Sequence, residues 1–195
     1  MYKKYVKRIL DILVSVCVLP FVALVIIFFG FLIWLEDRGS IFYLGSRVGK
    51  NARVFKMYKL RTMKMNAPDI RLEDGSTYNS EDDPRVTKIG RFLRKTSIDE
   101  LPQFINILVG DMSLIGPRPH TPLVLNKMTE EIREKLQIRP GLTGYSQAFY
   151  RNSIAEKEKN KKDLYYVRNV SFRFDLKIIF KTINTVLKRE NIYKE

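Results

Sequence analysis

The hydrophobic pattern of the chain is dominated by one uninterrupted apolar run near the N-terminus. No charged residue occurs from Ile12 to Leu35, and a helix over these positions reaches roughly 36 Å, enough to cross a hydrocarbon core of about 30 Å. Pro20 lies inside the run, where a proline removes one backbone hydrogen bond and costs an ordinary helix about 3 kcal/mol. The pattern predicts a membrane helix that either spans the bilayer with a kink or turns back at Pro20.

Basic residues flank this run on both sides. Positive side chains beside a membrane helix mark its cytoplasmic ends, so two basic flanks favour a re-entrant hairpin, although the pattern alone leaves both topologies open. We interpret residues 1–38 as a retained anchor, because the apolar core is too long for a signal peptide and no small-residue cleavage pattern follows it. The flanking residues are Lys3, Lys4, Lys7 and Arg8 on one side and Arg38, Arg47, Lys50, Arg53, Lys56 and Lys59 on the other.

After the anchor, the hydrophobic and polar positions first follow the pattern of β-strands and then the spacing of helices. Residues prone to β structure at 41–44 and 54–60, separated by turn formers at 45–51, predict a small β-hairpin. The polar stretch 66–85 predicts a surface loop. The expected fold is mainly α, of the α+β class, with 39–195 forming a cytosolic domain. Helical spacing predicts helices at 88–95, 99–109, 123–135, 153–169 and 171–188.

The last predicted helix is amphipathic. It either packs on the core or lies on anionic lipid as an interfacial helix, and the spacing leaves both open. Its apolar positions are Phe172, Leu176, Ile179, Phe180, Ile183 and Leu187, and its basic positions are Arg173, Lys177, Lys181 and Lys188.

Charge and rare residues narrow the chemistry. The 35 basic and 21 acidic residues give a net charge of +14, which favours an anionic partner: nucleic acid, lipid head groups or a phosphorylated substrate. The single cysteine, Cys17, excludes an intrachain disulfide. The single histidine, His120, argues against a histidine-rich metal site. Charge alone does not choose among the anionic partners.

Candidate chemistry concentrates in residues 91–119, RFLRKTSIDELPQFINILVGDMSLIGPRP. Ser97 and Glu100 fit a capping box, a purely structural device, but Pro102 would then lie past the first turn, so the helix could begin nearer Asp99. The adjacent carboxylates of Asp99 and Glu100 could instead hold a divalent cation. Prolines on both sides of Arg118 restrain a guanidinium that matches phosphate bidentately.

Five segments together resemble the bacterial sugar transferase family, and within it the small monotopic polyprenol-phosphate phosphoglycosyl transferases. In chain order they are KRILDIL, RVGKNARVFKMYKLRTM, DPRVTKIGRFLRKTSIDELPQFINILVGDMSLIGPRP, RPGLTGYSQ and DLYYVRNVSFRFDLKIIFKT. The resemblance covers nearly the whole chain.

The resemblance implies a covalent reaction at the membrane. Such enzymes move a phosphosugar from a UDP-sugar to undecaprenyl phosphate, release UMP and require Mg²⁺, as the first membrane step of glycoconjugate assembly. Asp99 would be the nucleophile, and Glu100 would assist it by metal contact or by proton handling. Both carboxylates are candidate metal ligands. Arg94 and Arg118 would offset phosphate charge, and further candidate phosphate or nucleotide contacts are Lys59, Arg61, Arg139 and Gln147.

The resemblance also implies a re-entrant helix at the cytoplasmic face of the bacterial inner membrane, broken at Pro20. The family's Ser-Pro pair would fall near Ala23 and Leu24, about one turn later than Pro20 in this chain. Further departures are Gly45 in place of glutamine, Thr62 in place of serine, and QAFYRN at 147–152 in place of QVNGRN.

Two rival classes stay open on sequence grounds. A membrane-tethered nucleic-acid-binding protein would explain the charge and the aromatic residues among the lysines but not the acidic pair, so no nucleic acid is expected. The other rival is a non-catalytic membrane scaffold. The sequence does not identify the sugar.

Overall fold

The computed structural model describes residues 1–70, 78, 80, 82–151 and 153–188, with only the backbone of Lys127. The predicted surface loop at 66–85 therefore lies partly outside the described residues, at 71–77, 79 and 81. Its described part has no helix or strand, but Asp83 and Arg85 at its end are buried and form an ion pair of 2.7 Å. This end of the loop belongs to the interior.

The N-terminal apolar run forms one long helix. A π-helical turn, Tyr2–Val6, leads into α1, Lys7–Asp37, and the helical conformation continues through Pro20 although proline has no N–H to donate. The segment Tyr2–Asp37 is long and apolar enough to cross a membrane by length and composition, with 11% of its most apolar window buried. The helix is not interrupted at Pro20, so this conformation does not support the predicted break there. The re-entrant topology stays a prediction.

Both ends and the middle of α1 contact the rest of the chain. Near its start, the Arg8 guanidinium donates to the carbonyl oxygens of Ile107 and Leu108 at 2.6 and 2.8 Å. At its end, Asp37 pairs with Arg61. Between them, Val22 and Ile33 are buried in two different apolar clusters. The anchor therefore packs along the folded domain over its whole length.

The predicted β-hairpin is confirmed, with a longer first strand. β1, Phe42–Val48, pairs antiparallel with β2, Val54–Leu60, from Phe42 opposite Leu60 to Val48 opposite Val54. The predicted turn formers at 45–48 join β1 because β2 supplies a partner for each of them. A short 3₁₀ turn at Lys50–Ala52 connects the strands.

Helix α2, Lys88–Thr96, confirms the prediction at 88–95. The Thr87 hydroxyl accepts from the Gly90 N–H at 2.9 Å, and the Glu36 carboxylate accepts from the Lys88 N–H at 2.8 Å. The predicted helix 99–109 is divided into a 3₁₀ turn, Ile98–Glu100, and α3, Gln103–Val109. Pro102 stands at the division, since it has no N–H for a continuous helix.

The C-terminal half contains short elements and two longer helices. The predicted helix 123–135 is a 3₁₀ helix, Pro122–Lys127, followed by α4, Glu130–Lys135. β3, Ser113–Ile115, pairs parallel with β4, Gly141–Thr143. The remaining helices are α5, Tyr145–Phe149, α6, Glu156–Arg168, and α7, Phe172–Leu187.

Helix α7 packs on the core with one face and leaves the other exposed. Ile178 is fully buried and Thr185 is nearly so, which confirms packing for that face. The interfacial role stays a prediction for the opposite face, whose exposed apolar residues are Phe172, Leu176, Phe180, Ile183 and Leu187.

Candidate active site

A left-handed turn places the two adjacent carboxylates. Ser97 has φ 58° and ψ 18°, and its N–H donates to the Arg94 carbonyl at 3.3 Å, which ends α2. The Glu100 N–H then donates to the Ser97 carbonyl at 3.2 Å, closing the 3₁₀ turn that carries Asp99 and Glu100. The Ser97 side chain does not cap this turn, so the predicted capping box is wrong. The turn is closed by its backbone.

Strand β2 brings a lysine to both carboxylates. Lys59 Nζ lies 2.6 Å from Glu100 Oε1 and 3.9 Å from Asp99 Oδ2. The position of the strand is fixed by the buried side chain of Asn106 in α3, which accepts from the Tyr58 N–H at 2.9 Å and donates to the Lys56 carbonyl at 2.8 Å. Asn106 thus sets the distance between Lys59 and the carboxylates.

The two carboxyl groups have opposite electrostatic environments. Asp99 is 8% exposed, and burial, reinforced by the Glu100 charge and opposed by Lys59 and Arg94, raises the pKa of Asp99 to about 6. Burial also acts to raise the pKa of Glu100, but Lys59, Arg118 and nearby Arg151 outweigh it and lower that pKa. The Glu100 side chain is 33% exposed, which weakens the effect of burial. Both groups are ionised at neutral pH, with Asp99 the closer to protonation.

Three arginines surround the carboxylates together with Lys59. Arg94 Nε donates to the Thr62 hydroxyl at 3.0 Å. Arg118 is exposed, and its charge reaches Glu100. Arg151 Nη2 donates to Ser97 Oγ at 3.2 Å. Four positive groups therefore face two negative ones, an excess of two positive charges that suits a phosphorylated ligand.

A buried ion pair holds the loop of Arg118. The Arg118 N–H donates to Asp163 Oδ2 at 3.1 Å, and Lys135 Nζ lies 3.3 Å from the same oxygen. Lys135 also donates to His120 Nε2 at 3.0 Å, and burial, with the charges of Lys135 and Arg118, lowers the pKa of His120 to about 3. His120 is therefore neutral and serves as an acceptor that supports the loop.

The structure brings together some of the predicted site residues and separates others. Asp99, Glu100, Lys59, Arg94 and Arg118 form one cluster. Arg61 does not join it: the Arg61 guanidinium is buried, pairs with Asp37 and donates to the Ser40 carbonyl. The predicted phosphate contact of Arg61 gains no support from this position, where the guanidinium forms an ion pair within the fold.

Arg139 and Gln147 make no contact with the two carboxylates among the described residues. Arg139 Nε donates to the Gly110 carbonyl at 2.7 Å, just past the opposite end of α3. Gln147 Nε2 lies 3.5 Å from the Leu142 carbonyl, and Gln147 Oε1 is buried without a partner in the part of the chain that the structure describes. Their predicted phosphate contacts gain no support from these positions.

Sequence reasoning missed Arg151, Asp163 and Lys135. Arg151 lies in the segment 147–152, which departs from the family run at 148–150 and keeps its arginine. Asn152 is outside the described residues. Asp163 and Lys135 pair across 28 positions (163 − 135) and gave no local signal. The one sequence signal at Asp163 was the family segment DLYYVRN, which begins at this residue.

The carboxylate pair fits a magnesium ion. Mg²⁺ is usually held by one or two carboxylates together with substrate phosphates and water, and Asp99 and Glu100 supply the two carboxylates. Among the described residues, no group of three or more His, Cys, Asp or Glu side chains offers an all-protein metal site. The donor set therefore suits an ion whose coordination is completed by a phosphorylated substrate.

Comparisons with known proteins give one consistent result. The profile of the bacterial sugar transferase family matches residues 2–189. The UDP-N-acetylgalactosamine-undecaprenyl-phosphate N-acetylgalactosaminephosphotransferase of Aeromonas hydrophila is 38% identical, over 94% of this chain and 44% of its own length. The undecaprenyl-phosphate galactose phosphotransferase of Salmonella typhimurium is 35% identical, over 97% of this chain and 42% of its own length.

A shorter relative matches over most of both chains. The exopolysaccharide production protein ExoY of Sinorhizobium fredii is 38% identical, over 96% of this chain and 88% of its own length. The chain thus spans less than half the length of the two phosphotransferases and corresponds in extent to the shorter protein.

Proposed function

Because the chain belongs to the bacterial sugar transferase family, we propose that it transfers a phosphosugar from a UDP-sugar to undecaprenyl phosphate and releases UMP. The observation that carries the proposal is the buried Asp99 carboxylate beside Glu100, within a ring of four basic side chains. The names of the Aeromonas and Salmonella relatives, both undecaprenyl-phosphate sugar phosphotransferases, support this choice of substrates.

Asp99 is the proposed nucleophile of the first step. A carboxylate oxygen of Asp99 attacks the β-phosphorus of the UDP-sugar and forms a new oxygen–phosphorus bond. The bond from that phosphorus to the bridging oxygen breaks, and its electron pair leaves with UMP. The sugar phosphate is then linked covalently to Asp99, so that one difficult displacement is divided into two.

Undecaprenyl phosphate is the acceptor of the second step. One of its phosphate oxygens attacks the same phosphorus, and the bond to the Asp99 oxygen breaks. The products are the undecaprenyl diphosphate sugar and the regenerated carboxylate. Because the acceptor enters as an anion, the positive charges of Lys59, Arg94 and Arg118 serve both steps by offsetting repulsion between phosphates.

Glu100 assists Asp99 rather than replacing it. The Lys59 contact of 2.6 Å keeps Glu100 ionised and oriented beside the nucleophile. We propose Asp99 and Glu100 as the ligands of Mg²⁺, which when bound would neutralise phosphate charge at the reacting phosphorus.

We propose a monotopic arrangement on the cytoplasmic face of the bacterial inner membrane. Contacts at both ends of α1 with the same domain favour both ends lying on one side. Tyr2 and Phe172 pack edge to face with ring centres 5.9 Å apart, which sets the start of α7 beside the start of the anchor. The exposed face of α7 then continues the apolar surface of α1, whose residues more than half exposed are Ile9, Leu13, Val16, Phe21, Leu24, Ile27, Phe28 and Phe31.

The test is a UMP-release assay on the purified full chain. A panel of UDP-sugars is offered with Mg²⁺ and undecaprenyl phosphate, and at least one sugar is expected to give UMP. Asp99→Asn removes the nucleophile and keeps the size of the side chain, so we expect UMP release to fall by at least about 1,000-fold. Without acceptor, the wild-type protein should release one UMP per active site and carry the sugar phosphate.

Other outcomes would reject the proposal. Full turnover in Asp99→Asn would remove the nucleophile assignment. Salt-dependent binding of duplex DNA or RNA, with no UMP released from any sugar in the panel, would favour the nucleic-acid-binding alternative instead.

A further inference from the structure

Arg151 connects two backbone positions of unusual conformation. Ser97 has φ 58° and Arg151 has φ 42°, both in the left-handed region of the backbone that residues other than glycine rarely adopt. The hydrogen bond of 3.2 Å from Arg151 Nη2 to Ser97 Oγ joins positions 54 apart in sequence. Such conformations cost of order 1–3 kcal/mol each and persist where the surrounding structure enforces them. The hydrogen bond between Arg151 and Ser97 is therefore a candidate for the interaction that enforces the Ser97 conformation.

The Ser97 conformation determines where Asp99 lies. Ser97 ends α2 through its N–H and begins the next turn through its carbonyl, which accepts from the Glu100 N–H at 3.2 Å. A rotation of the Ser97 backbone would therefore reorient the turn that carries both carboxylates. No helix-capping bond of its own side chain holds this turn.

The backbone of Arg151 is itself fixed by α5. The Arg151 N–H donates to the Ser146 carbonyl at 3.1 Å, and α5 lies against both α6 and α7. The guanidinium of Arg151 thus reaches Ser97 from a part of the domain that shares no secondary-structure element with the turn. This makes Arg151 a strut between the C-terminal helices and the carboxylate turn.

We infer that Arg151 is a positioning residue for the transfer reaction: its hydrogen bond to Ser97 holds the left-handed turn that directs Asp99 toward the donor phosphate. The inference rests on the proposed function and adds to it a role for Arg151, a position that the segment 147–152 shares with the family run QVNGRN. It assigns this segment a contribution to the rate of the chemical step.

The inference is tested by a mutant cycle at positions 151 and 97. Arg151→Met keeps the unbranched stem of the side chain and removes the guanidinium with its hydrogen bond. We expect kcat for UMP release to fall about 10- to 100-fold with KM little changed, as for a nucleophile displaced by a fraction of an ångström to about one ångström. Arg133→Met is the control, because it removes an equal charge from an exposed arginine on α4.

Ser97→Gly supplies the decisive background. Glycine adopts the left-handed conformation without strain, so the turn no longer depends on the Arg151 contact. Adding Arg151→Met to Ser97→Gly should change kcat by less than about 3-fold relative to Ser97→Gly alone. An undiminished loss in this background, or a rise in KM with kcat preserved, would mean that Arg151 acts on the substrate directly and would overturn the inference.

Hydrogen exchange gives a readout that does not depend on activity. The amides of Glu100 and Leu101 are bonded within the turn, to Ser97 and Ile98, and Arg151→Met should make both exchange faster while the amides of β2 are unchanged. If Arg151→Met does not fold, Arg151→Lys is used, for which we expect a smaller acceleration. Unchanged exchange at Glu100 and Leu101 would reject the positioning role, whether or not the wild-type protein releases UMP. If the wild-type protein released no UMP, that result would count against the proposed function alone.

Discussion

At the scale of single residues, Asp99 has an environment that opposes its own charge. Burial raises its pKa to about 6, while the contact with Lys59 at 3.9 Å keeps it ionisable at neutral pH. The sequence located Asp99 and Glu100 through the resemblance, but it did not supply this environment, because Lys59 comes from a strand 40 positions earlier (99 − 59). Arg61 is a second example: the resemblance suggested a phosphate contact for this residue and did not indicate its pairing with Asp37.

The pH dependence of turnover follows from the ionisation of Asp99. As the proposed nucleophile, Asp99 attacks phosphorus only when its carboxylate is ionised, so kcat/KM for UMP release should rise with pH through about 6 and level off above it. Glu100→Gln removes a neighbouring negative charge and should move the inflection to lower pH. The measurement is the initial rate between about pH 5 and pH 8, and an inflection near 4, the ordinary value for aspartate, would contradict the burial argument.

The same environment predicts a stability gain in Asp99→Asn. Because the pKa of Asp99 is about 6 in the folded protein and 3.8 in the unfolded chain, the stability that Asp99 contributes falls as pH rises from about 4 to 6 and does not return above 6. The asparagine variant carries no charge, so at pH 7.5 it should unfold at the same or a higher temperature than the wild type. Thermal unfolding in detergent checks this, and a clearly lower unfolding temperature would mean that the Asp99–Lys59 attraction outweighs burial.

At the scale of elements, helix periodicity predicted the strongly patterned segments and failed where backbone chemistry intervened. α2, α6 and α7 lie within one to three residues of their predicted bounds. Pro102 divided the helix predicted at 99–109, and Thr129 divided the one at 123–135 by capping α4 through its bond to the Ile132 N–H at 3.3 Å. β3 and β4 went unpredicted because three-residue strands have no readable alternation and are defined by pairing across the chain.

Arg61, paired with the end of α1, and Arg118 are expected to behave as a structural arginine and a substrate-binding one. Asp37→Asn removes the partner of the buried Arg61 guanidinium, so it should lower the free energy of unfolding by about 2 to 4 kcal/mol and leave KM unchanged. Arg118→Gln changes an exposed side chain, so it should raise KM for the UDP-sugar without lowering the unfolding temperature. Denaturation and UMP kinetics on both variants check the contrast, which would fail if Asp37→Asn raised KM as much as Arg118→Gln.

At the scale of the whole molecule, the contacts of α1 with the rest of the chain bear more on the membrane topology than the length of the helix does. By length alone α1 spans a bilayer, but Arg8 contacts α3 and Asp37 contacts Arg61, the residue after β2, so its two ends are joined to one domain. A single helix crossing the membrane would separate those contacts onto opposite faces. The basic flanks favour the same one-sided arrangement on grounds of charge, and it stays a prediction. The path of the helix past Pro20 depends on packing that the sequence pattern does not contain.

The topology is checked by labelling from outside the cell. In a Cys17→Ser background, Lys3→Cys and Lys50→Cys place single thiols at exposed positions on the two flanks. With both flanks on the cytoplasmic face, as proposed, neither should react with a membrane-impermeant thiol reagent in intact cells, and both should react in inverted membrane vesicles. Reaction of one flank from outside would establish a spanning helix.

The burial of Val22 against Phe104 and Ile107 has a mechanical consequence. α3, which carries Phe104 and Ile107, begins three residues after Glu100, so a force on the exposed apolar side of α1 is transmitted through a few side chains to the proposed nucleophile. Bilayer thickness and lateral pressure should therefore alter the rate of the enzyme as directly as a substitution in its core. For the same reason, deletion of α1 would leave an open hydrophobic surface in place of a soluble catalyst.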